Sequence, residues 1–327
     1  MAKNGLNKLM TRPALLTTAV ILGLLAAGCE APPPATNLPD GPFLVVLGIA
    51  QDAGYPQAGC QKACCAEVWD HPQQRRAPAC LAIVDPQSSQ SWLIEATPDF
   101  KDQLRRLERL TPGDGSPIPT GIFLTHAHIG HYSGLMQLGR EVIGAGGVPV
   151  YAMPRMEAFL RSNGPWDQLV SLQNISLRQL RADSTIRLNE RLAITPFPVP
   201  HRDEYSETVG FRIDGPQRSA LFIPDIDKWE KWERPVEALI GETELAFLDG
   251  TFYAEGEIPG RNMAEIPHPF IQESMARFAT LPAADKSRIY FIHLNHTNPA
   301  LHPDSDARKK IQQEGFRIAE ELEIFGL

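Results

Sequence analysis

The sequence predicts an α/β protein whose two halves each supply strands and helices. Three observations carry that expectation. Apolar runs of the buried-strand type recur, as in Phe43-Leu44-Val45-Val46-Leu47, Leu221-Phe222-Ile223 and Tyr290-Phe291-Ile292. Between them lie segments with apolar residues at helical spacing, such as Leu104 and Leu107 downstream of the Thr97-Pro98-Asp99 start signal. After residue 43 the sequence shows no internal repeat and no change of compositional regime, so 43–327 reads as one domain.

The first 42 residues differ from the rest. Lys3, Lys8 and Arg12 precede an apolar run over 14–25, and Ala26-Ala27-Gly28 stand directly before Cys29. This resembles a bacterial lipoprotein signal, with residues 1–28 removed and lipid carried on the Cys29 thiol. Residues 29–42 are Pro-rich and read as an extended tether. Glu30 in place of Asp after that Cys implies an outer-membrane location facing the periplasm, with the membrane as a partner through the lipid. No later stretch is long and apolar enough to span a bilayer. Without residues 1–28 the chain keeps 28 basic against 39 acidic residues, a net charge of −11. So negative a body is a poor non-specific nucleic-acid binder.

A buried strand over 43–50 is followed by Gln51-Asp52-Ala53-Gly54-Tyr55-Pro56-Gln57, a turn-rich loop that leads into Cys60, Cys64 and Cys65. With Cys80 these thiols suit a structural zinc. Disulfides, favoured in an oxidising compartment, and free thiols are the alternatives, although adjacent Cys64 and Cys65 cannot bridge each other without strain. Residues 80–85 and 91–96 read as a hairpin, and a helix runs on to about residue 110. Further helices are expected from 131 to 138, from 155 to 161 and from 305 to 322. Short strands are expected through 175–223, and again at 245–248 and 289–292.

After the strand-like Gly121-Ile122-Phe123-Leu124 comes Thr125-His126-Ala127-His128-Ile129-Gly130-His131. His126 and His128 are two apart, so in extended backbone both imidazoles leave one side. His131 follows where the chain turns. Neutral imidazole is a preferred ligand for zinc, iron, copper and nickel. This run resembles the HxHxDH signature of the metallo-β-lactamase superfamily, with Gly130 in the Asp position. The loop after the first strand and its cysteines are similar to the pyrroloquinoline quinone biosynthesis protein B branch, and the similarity extends over most of 43–304. The resemblance implies a four-layer αβ/βα sandwich. It also implies a cysteine-ligated zinc near Cys60, and a metal centre at one rim. There His126, His128 and His201 hold one ion, and Asp225 bridges to a second ion on His131 and His293.

Gly130 removes a carboxylate, so the second position is expected to be weaker or filled by another side chain. His268 and His296 are candidates for handling protons, with Asp225 shared between ions. Asp249 ends a strand and could orient a histidine. His71 and His302 read as exposed.

The expected function is metal-dependent hydrolysis of an ester, phosphodiester, lactone or amide small molecule. The nucleophile would be a metal-bound hydroxide, and the metal one or two zinc ions, or manganese or iron. The first alternative is an iron-dependent oxygenase-type enzyme related to quinone cofactor biosynthesis. The second is a non-catalytic, metal-dependent binding protein of the envelope.

Overall fold

A computed structural model describes residues 38–111 and 117–327, and these fall in one compact unit. The leader 1–28, Cys29 and most of the tether 29–42 lie outside the described residues.

The first half supplies strands β1 (Phe43–Gly48), β2 (Cys80–Asp85), β3 (Gln90–Ile94), β4 (Gly121–Phe123), β5 (Val148–Ala152) and β6 (Ile175–Gln179). The second half supplies β7 (Ile186–Arg187), β8 (Ala193–Pro198), β9 (Val209–Asp214), β10 (Ser219–Ile223), β11 (Leu245–Asp249), β12 (Ile289–Ile292) and β13 (Arg317–Ile318). The last strand, β14 (Ile324–Gly326), crosses back and pairs with β1. The result is two seven-stranded sheets, ordered β14-β1-β2-β3-β4-β5-β6 and β13-β12-β11-β10-β9-β8-β7.

Strand periodicity sorts the core. Leu44, Val46, Leu81 and Ile83 face the other sheet and share its apolar cluster with Phe211, Phe222 and Phe247. Phe43, Val45, Ala82 and Val84 point the other way. They pack against Phe100, Leu107 and Leu110 of the helix Phe100–Leu110 and against Met156 and Leu160 of the helix Pro154–Ser162. The second sheet is covered in the same way by Ile271 and Met275 of the helix Ile271–Arg277. Burial on both faces is why these strands read as continuous apolar runs rather than alternating ones. The four-layer αβ/βα sandwich is therefore present.

Strands β3 to β6 run parallel, and so do β10 to β13. Parallel neighbours bring their carboxyl ends to one edge, where open α/β sheets place their ligands. Thr125 to His131 follows β4, Asp225 follows β10, Asp249 closes β11 and His293 follows β12.

Two elements differ from expectation. The helix expected over 305–322 runs only Asp306–Gln313. Gly315, at φ +91°, ends it, and Phe316, Ile318 and Phe325 then turn into the core. Beyond His128 there is a single α-helical turn, Ile129–Tyr132, and then a 3₁₀ run, Ser133–Leu138.

One polar clamp ties the two sheets together. The buried Asp85 carboxylate at the end of β2 accepts from Asn189 Nδ2 at 2.7 Å and from Arg191 Nε at 3.1 Å. A second, shorter bond runs from Arg191 Nη2 to Oδ1. Burial pushes the Asp85 carboxyl up, but the bonds from Arg191 and Asn189 outweigh it and leave it below the usual range. A depressed carboxyl stabilises the fold above the unfolded value near 3.9 and loses that effect as pH falls through the folded value. Arg191→Ala should therefore cost about 2 kcal/mol at pH 7, below the ~3–5 kcal/mol of a fully buried broken pair because the guanidinium is partly solvated. Urea unfolding should show the penalty fading below about pH 4. An equal penalty at both pH values would rule the clamp out.

Candidate metal centre

His126, His128, His201 and Asp225 bring one ligand atom each to within 4.8 Å of one another. The loop that carries the first two is pinned to the second half of the chain: Val209 N donates to Thr125 O at 3.2 Å, and the Ser206 hydroxyl accepts from Ala127 N at 2.7 Å. Asp227 N donates to Pro200 O at 2.7 Å, which joins the His201 turn to the Asp225 loop. Ile226 N donates to Asp249 Oδ2 at 3.1 Å and fixes that loop onto β11.

The ring nitrogens divide their roles. His201 Nδ1 lies 3.3 Å from Asp227 Oδ1, and a carboxylate can only accept, so Nδ1 donates there and Nε2 is left to face the other ligand atoms. His126 Nδ1 meets the Thr125 hydroxyl at 2.8 Å. The Nε2 atoms of His126, His128 and His201 are buried and carry no hydrogen bond, with His128 Nε2 3.5 Å from Glu204 Oε2. Buried polar atoms are almost always paired, and three orphaned nitrogens around Asp225 are what an ion would satisfy. Burial, reinforced by neighbouring imidazoles, pushes His126 well below its ordinary pKa, and His128 is lowered for the same first reason, so both favour the neutral, ligating form.

A second group, Asp52, His131, Asp225 and His293, converges just as closely. His131 Nε2 is 3.1 Å from Asp52 Oδ1 and 3.0 Å from Asp225 Oδ2, with Nδ1 3.2 Å from the buried Glu95. His293 Nε2 is 3.3 Å from Asp52 Oδ1 and 3.5 Å from Asp225 Oδ2, with Nδ1 3.0 Å from the Thr251 hydroxyl. Glu95 and His293 both hold positive φ, at +88° and +65°. Non-glycine residues in that region cost of order 1–3 kcal/mol, and such strain gathers at functional sites. Burial works against the Asp52 and Asp225 charges, yet the surrounding imidazoles hold both carboxyls well below the usual range.

Asp52 is the ligand-type residue that sequence reasoning missed. Its one signal was the glycine at 130 together with an acid in the turn after β1. A Cβ on Gly130 would lie 2.3 Å from Asp52 Cα and 2.6 Å from Asp52 Oδ1.

His268 lies beside both groups. Its Nδ1 is 2.8 Å from Asp249 Oδ2 and 3.3 Å from Asp225 Oδ1. Burial lowers its pKa, but the Asp249, Asp225 and Asp52 carboxylates override this and raise it to about 9. A cavity of about 310 Å³ adjoins it, lined by Gln51, Arg202, Phe252 and Arg261 among others.

His296 is not in this centre, which corrects its expected proton-handling role. It converges instead with Cys60, Cys64 and Cys65, because the chain turns at His293 and carries it across to the cysteine loop. Cys80 is corrected in turn. It opens β2, its thiol faces Leu81 O and Glu95 O, and it packs in the helix-side core away from the other three. These four thiols form no disulfide in the structure, with Cys60 Sγ 3.8 Å from Cys64 Sγ. His71 and His302 are exposed.

Nitrogen and oxygen ligands converging on strand ends from both halves invite comparison with known proteins. The family model of the β-lactamase superfamily domain matches residues 91–294, more than half of the chain. The chain belongs to that superfamily. Within it, coenzyme PQQ synthesis protein B of Xanthomonas euvesicatoria pv. vesicatoria is 30% identical over 312 residues, covering 86% of this chain and 99% of that protein. The Methylobacterium nodulans protein of the same name is 27% identical over 300 residues, covering 84% of this chain and 96% of that one. Among solved structures, Zn²⁺-bound PqqB from Methylobacterium extorquens superposes with a TM-score of 0.73 at 23% identity, over 87% of this chain and all of that one. A diphosphatase of the PhnP family gives 0.59 at 22% identity, over 87% and 96%. The superfamily branch is thus that of PqqB, and the centre is a metal-binding one by its donor set.

These matches overturn the envelope placement. The relatives that share nearly their whole length with this chain are coenzyme synthesis proteins. Among the described residues no helix is long and apolar enough to cross a membrane. The membrane partner through a lipid on Cys29 and the periplasm-facing location are corrected accordingly. The envelope location of the non-catalytic alternative goes with them. The leader reading of residues 1–28 falls outside the described residues.

Proposed function

We propose that the chain is a metal-dependent hydrolase acting on a small anionic ester, phosphodiester, lactone or amide. The observation that carries this reading is the set of orphaned Nε2 atoms around a shared Asp225. His126, His128, His201 and Asp225 would hold one ion, and His131, His293 and Asp225 a second, of zinc, manganese or iron. Such an ion, when bound, lowers the pKa of water from about 15.7 toward 7 and polarises a carbonyl or phosphoryl oxygen. His268, held by Asp249 at 2.8 Å, would deliver a proton to the leaving group. Arg202 and Arg261 line the adjoining cavity against a single carboxylate, Glu265, and favour a negatively charged substrate. Cys60, Cys64, Cys65 and His296 would hold a separate structural zinc, a three-thiolate, one-imidazole set.

A second reading follows from the relatives' name, which points to a role in PQQ synthesis. Two histidines with a carboxylate is also the ligand set of non-haem iron oxygen chemistry, and His131, His293 and Asp225 supply one.

Elemental analysis and turnover separate the two. With zinc or manganese loaded, a chromogenic phosphodiester should be cleaved and a chelator should stop it. His128→Ala should lose at least one equivalent of metal. His268→Ala should keep its metal and lose about 10²–10⁴ in rate. Iron as the purified metal, with oxygen consumption and no ester or phosphodiester turnover, would decide for the second reading.

A further inference from the structure

We propose that Asp52 is a ligand of the second ion, supplying from the turn after β1 the carboxylate that position 130 lacks. This rests on the metal-centre reading above and goes beyond its histidines and Asp225.

Three independent features support it. The first is aim. Asp52 Oδ1 is 3.1 Å from His131 Nε2 and 3.3 Å from His293 Nε2, the same two nitrogens that Asp225 Oδ2 meets at 3.0 and 3.5 Å. Two carboxylate oxygens and two imidazole nitrogens thus enclose one point, a four-ligand set of the type that zinc takes.

The second is exclusion. A side chain at 130 would need space that Asp52 already fills, its Cα included. An acid at 130 and an acid at 52 are therefore alternatives for one volume. Glycine at 130 is what lets the β1 turn close onto the centre.

The third is anchorage. Gln51 N donates to Leu294 O at 2.8 Å, Leu294 N donates to Ile49 O at 2.8 Å, and Gly54 N closes the turn on Gln51 O at 2.8 Å. The backbone that presents Asp52 is thus bonded to the backbone that presents His293. A carboxylate left there for solubility alone would not need that registration.

The test is metal stoichiometry on the full chain, dialysed against zinc or cobalt, with affinity measured by competition. Relative to wild type, Asp52→Asn and Asp52→Ala should each lose one equivalent, with affinity at that position down at least ~100-fold. The ion on His126, His128 and His201 should be retained. Gly130→Ala keeps every proposed ligand but pushes the Asp52 backbone away, and it should weaken the same ion. Melting of the metal-free proteins controls for folding. If wild type binds two ions at the centre and both Asp52 variants still bind two at unchanged affinity, the assignment of Asp52 is wrong and the hydrolase reading stands. If wild type binds none there, both fail.

Discussion

Asp225→Ala should empty both ion positions at once, while His128→Ala and Asp52→Asn each disturb one. The reason is where its two oxygens lie. Oδ2 is 3.5 Å from His126 Nε2, 3.0 Å from His131 Nε2 and 3.5 Å from His293 Nε2. Oδ1 is 3.8 Å from His201 Nε2 and 3.3 Å from His268 Nδ1. One carboxylate therefore lies against five imidazoles from both halves of the chain. Without it the remaining histidines would have to bind cations with no shared anion between them. Hydrolytic kcat/KM should fall at least ~10³-fold, since the lowering of the water pKa toward 7 goes with the ions. Asp225→Asn keeps the shape and removes the charge, so its residual metal content reports how much of the effect is electrostatic. The metal-free variant should fold, because Asp249 still orients His268 and the strands on either side are held by apolar packing. Two equivalents retained by Asp225→Ala would remove Asp225 from the centre, and with it the argument that the two positions are linked.

Most of the fold could be read from strand runs and their punctuation. Runs such as Leu221-Phe222-Ile223 and Phe291-Ile292 are buried on both faces, so they stand out as apolar blocks, and the residues just beyond them fall at the sheet's carboxyl edge. His126, His128 and His131 stood out by their spacing after such a run, while His201, Asp225 and His293 were named through the superfamily resemblance, and the shared edge is why all six converge. Asp52 could not be found the same way. It lies 79 residues before His131 and 241 before His293, in a turn whose direction depends on contacts with Leu294 that no local pattern encodes. Gly130 signalled that a carboxylate was missing but not where its replacement came from. Cys80 and His296 failed for a related reason. Counting cysteines made Cys80 a natural fourth ligand, yet its place at the start of β2 commits its side chain to the helix-side core. The carboxylate lost at Gly130 made His296 a candidate for handling protons, yet the left-handed backbone at His293 redirects the chain within three residues. The overlong C-terminal helix arose because charged residues over 305–322 fit an amphipathic pattern. The competing demand, edge partners for β12 at Arg317–Ile318 and for β1 at Ile324–Gly326, is non-local.

Breaking the cysteine cluster should loosen the second ion position as well as the fold. Cys60, Cys64 and Cys65 sit on the segment that leaves β1 past Asp52, and His296 sits three residues past His293. An ion held by these four would clasp together the two segments that present Asp52 and His293. A structural ion of this kind contributes folding free energy outright, because its binding requires the folded arrangement. Cys64→Ser, or His296→Ala, should lose one equivalent of zinc and about 3 kcal/mol of stability. With an unfolding entropy of about 2.1 cal/mol/K per residue, the 285 residues of 43–327 give roughly 1.7 °C per kcal/mol, a fall in Tm of about 5 °C. Affinity at the Asp52–His293 position should drop in the same variants, while the ion on His126, His128 and His201, anchored through β4, β8 and β10, should stay. That asymmetry is the informative part. A uniform loss across all positions would mean general unfolding. An unchanged Tm with full zinc content would mean that the thiols and His296 hold nothing, and that the turn bearing Asp52 is fixed by its backbone bonds to Leu294 alone.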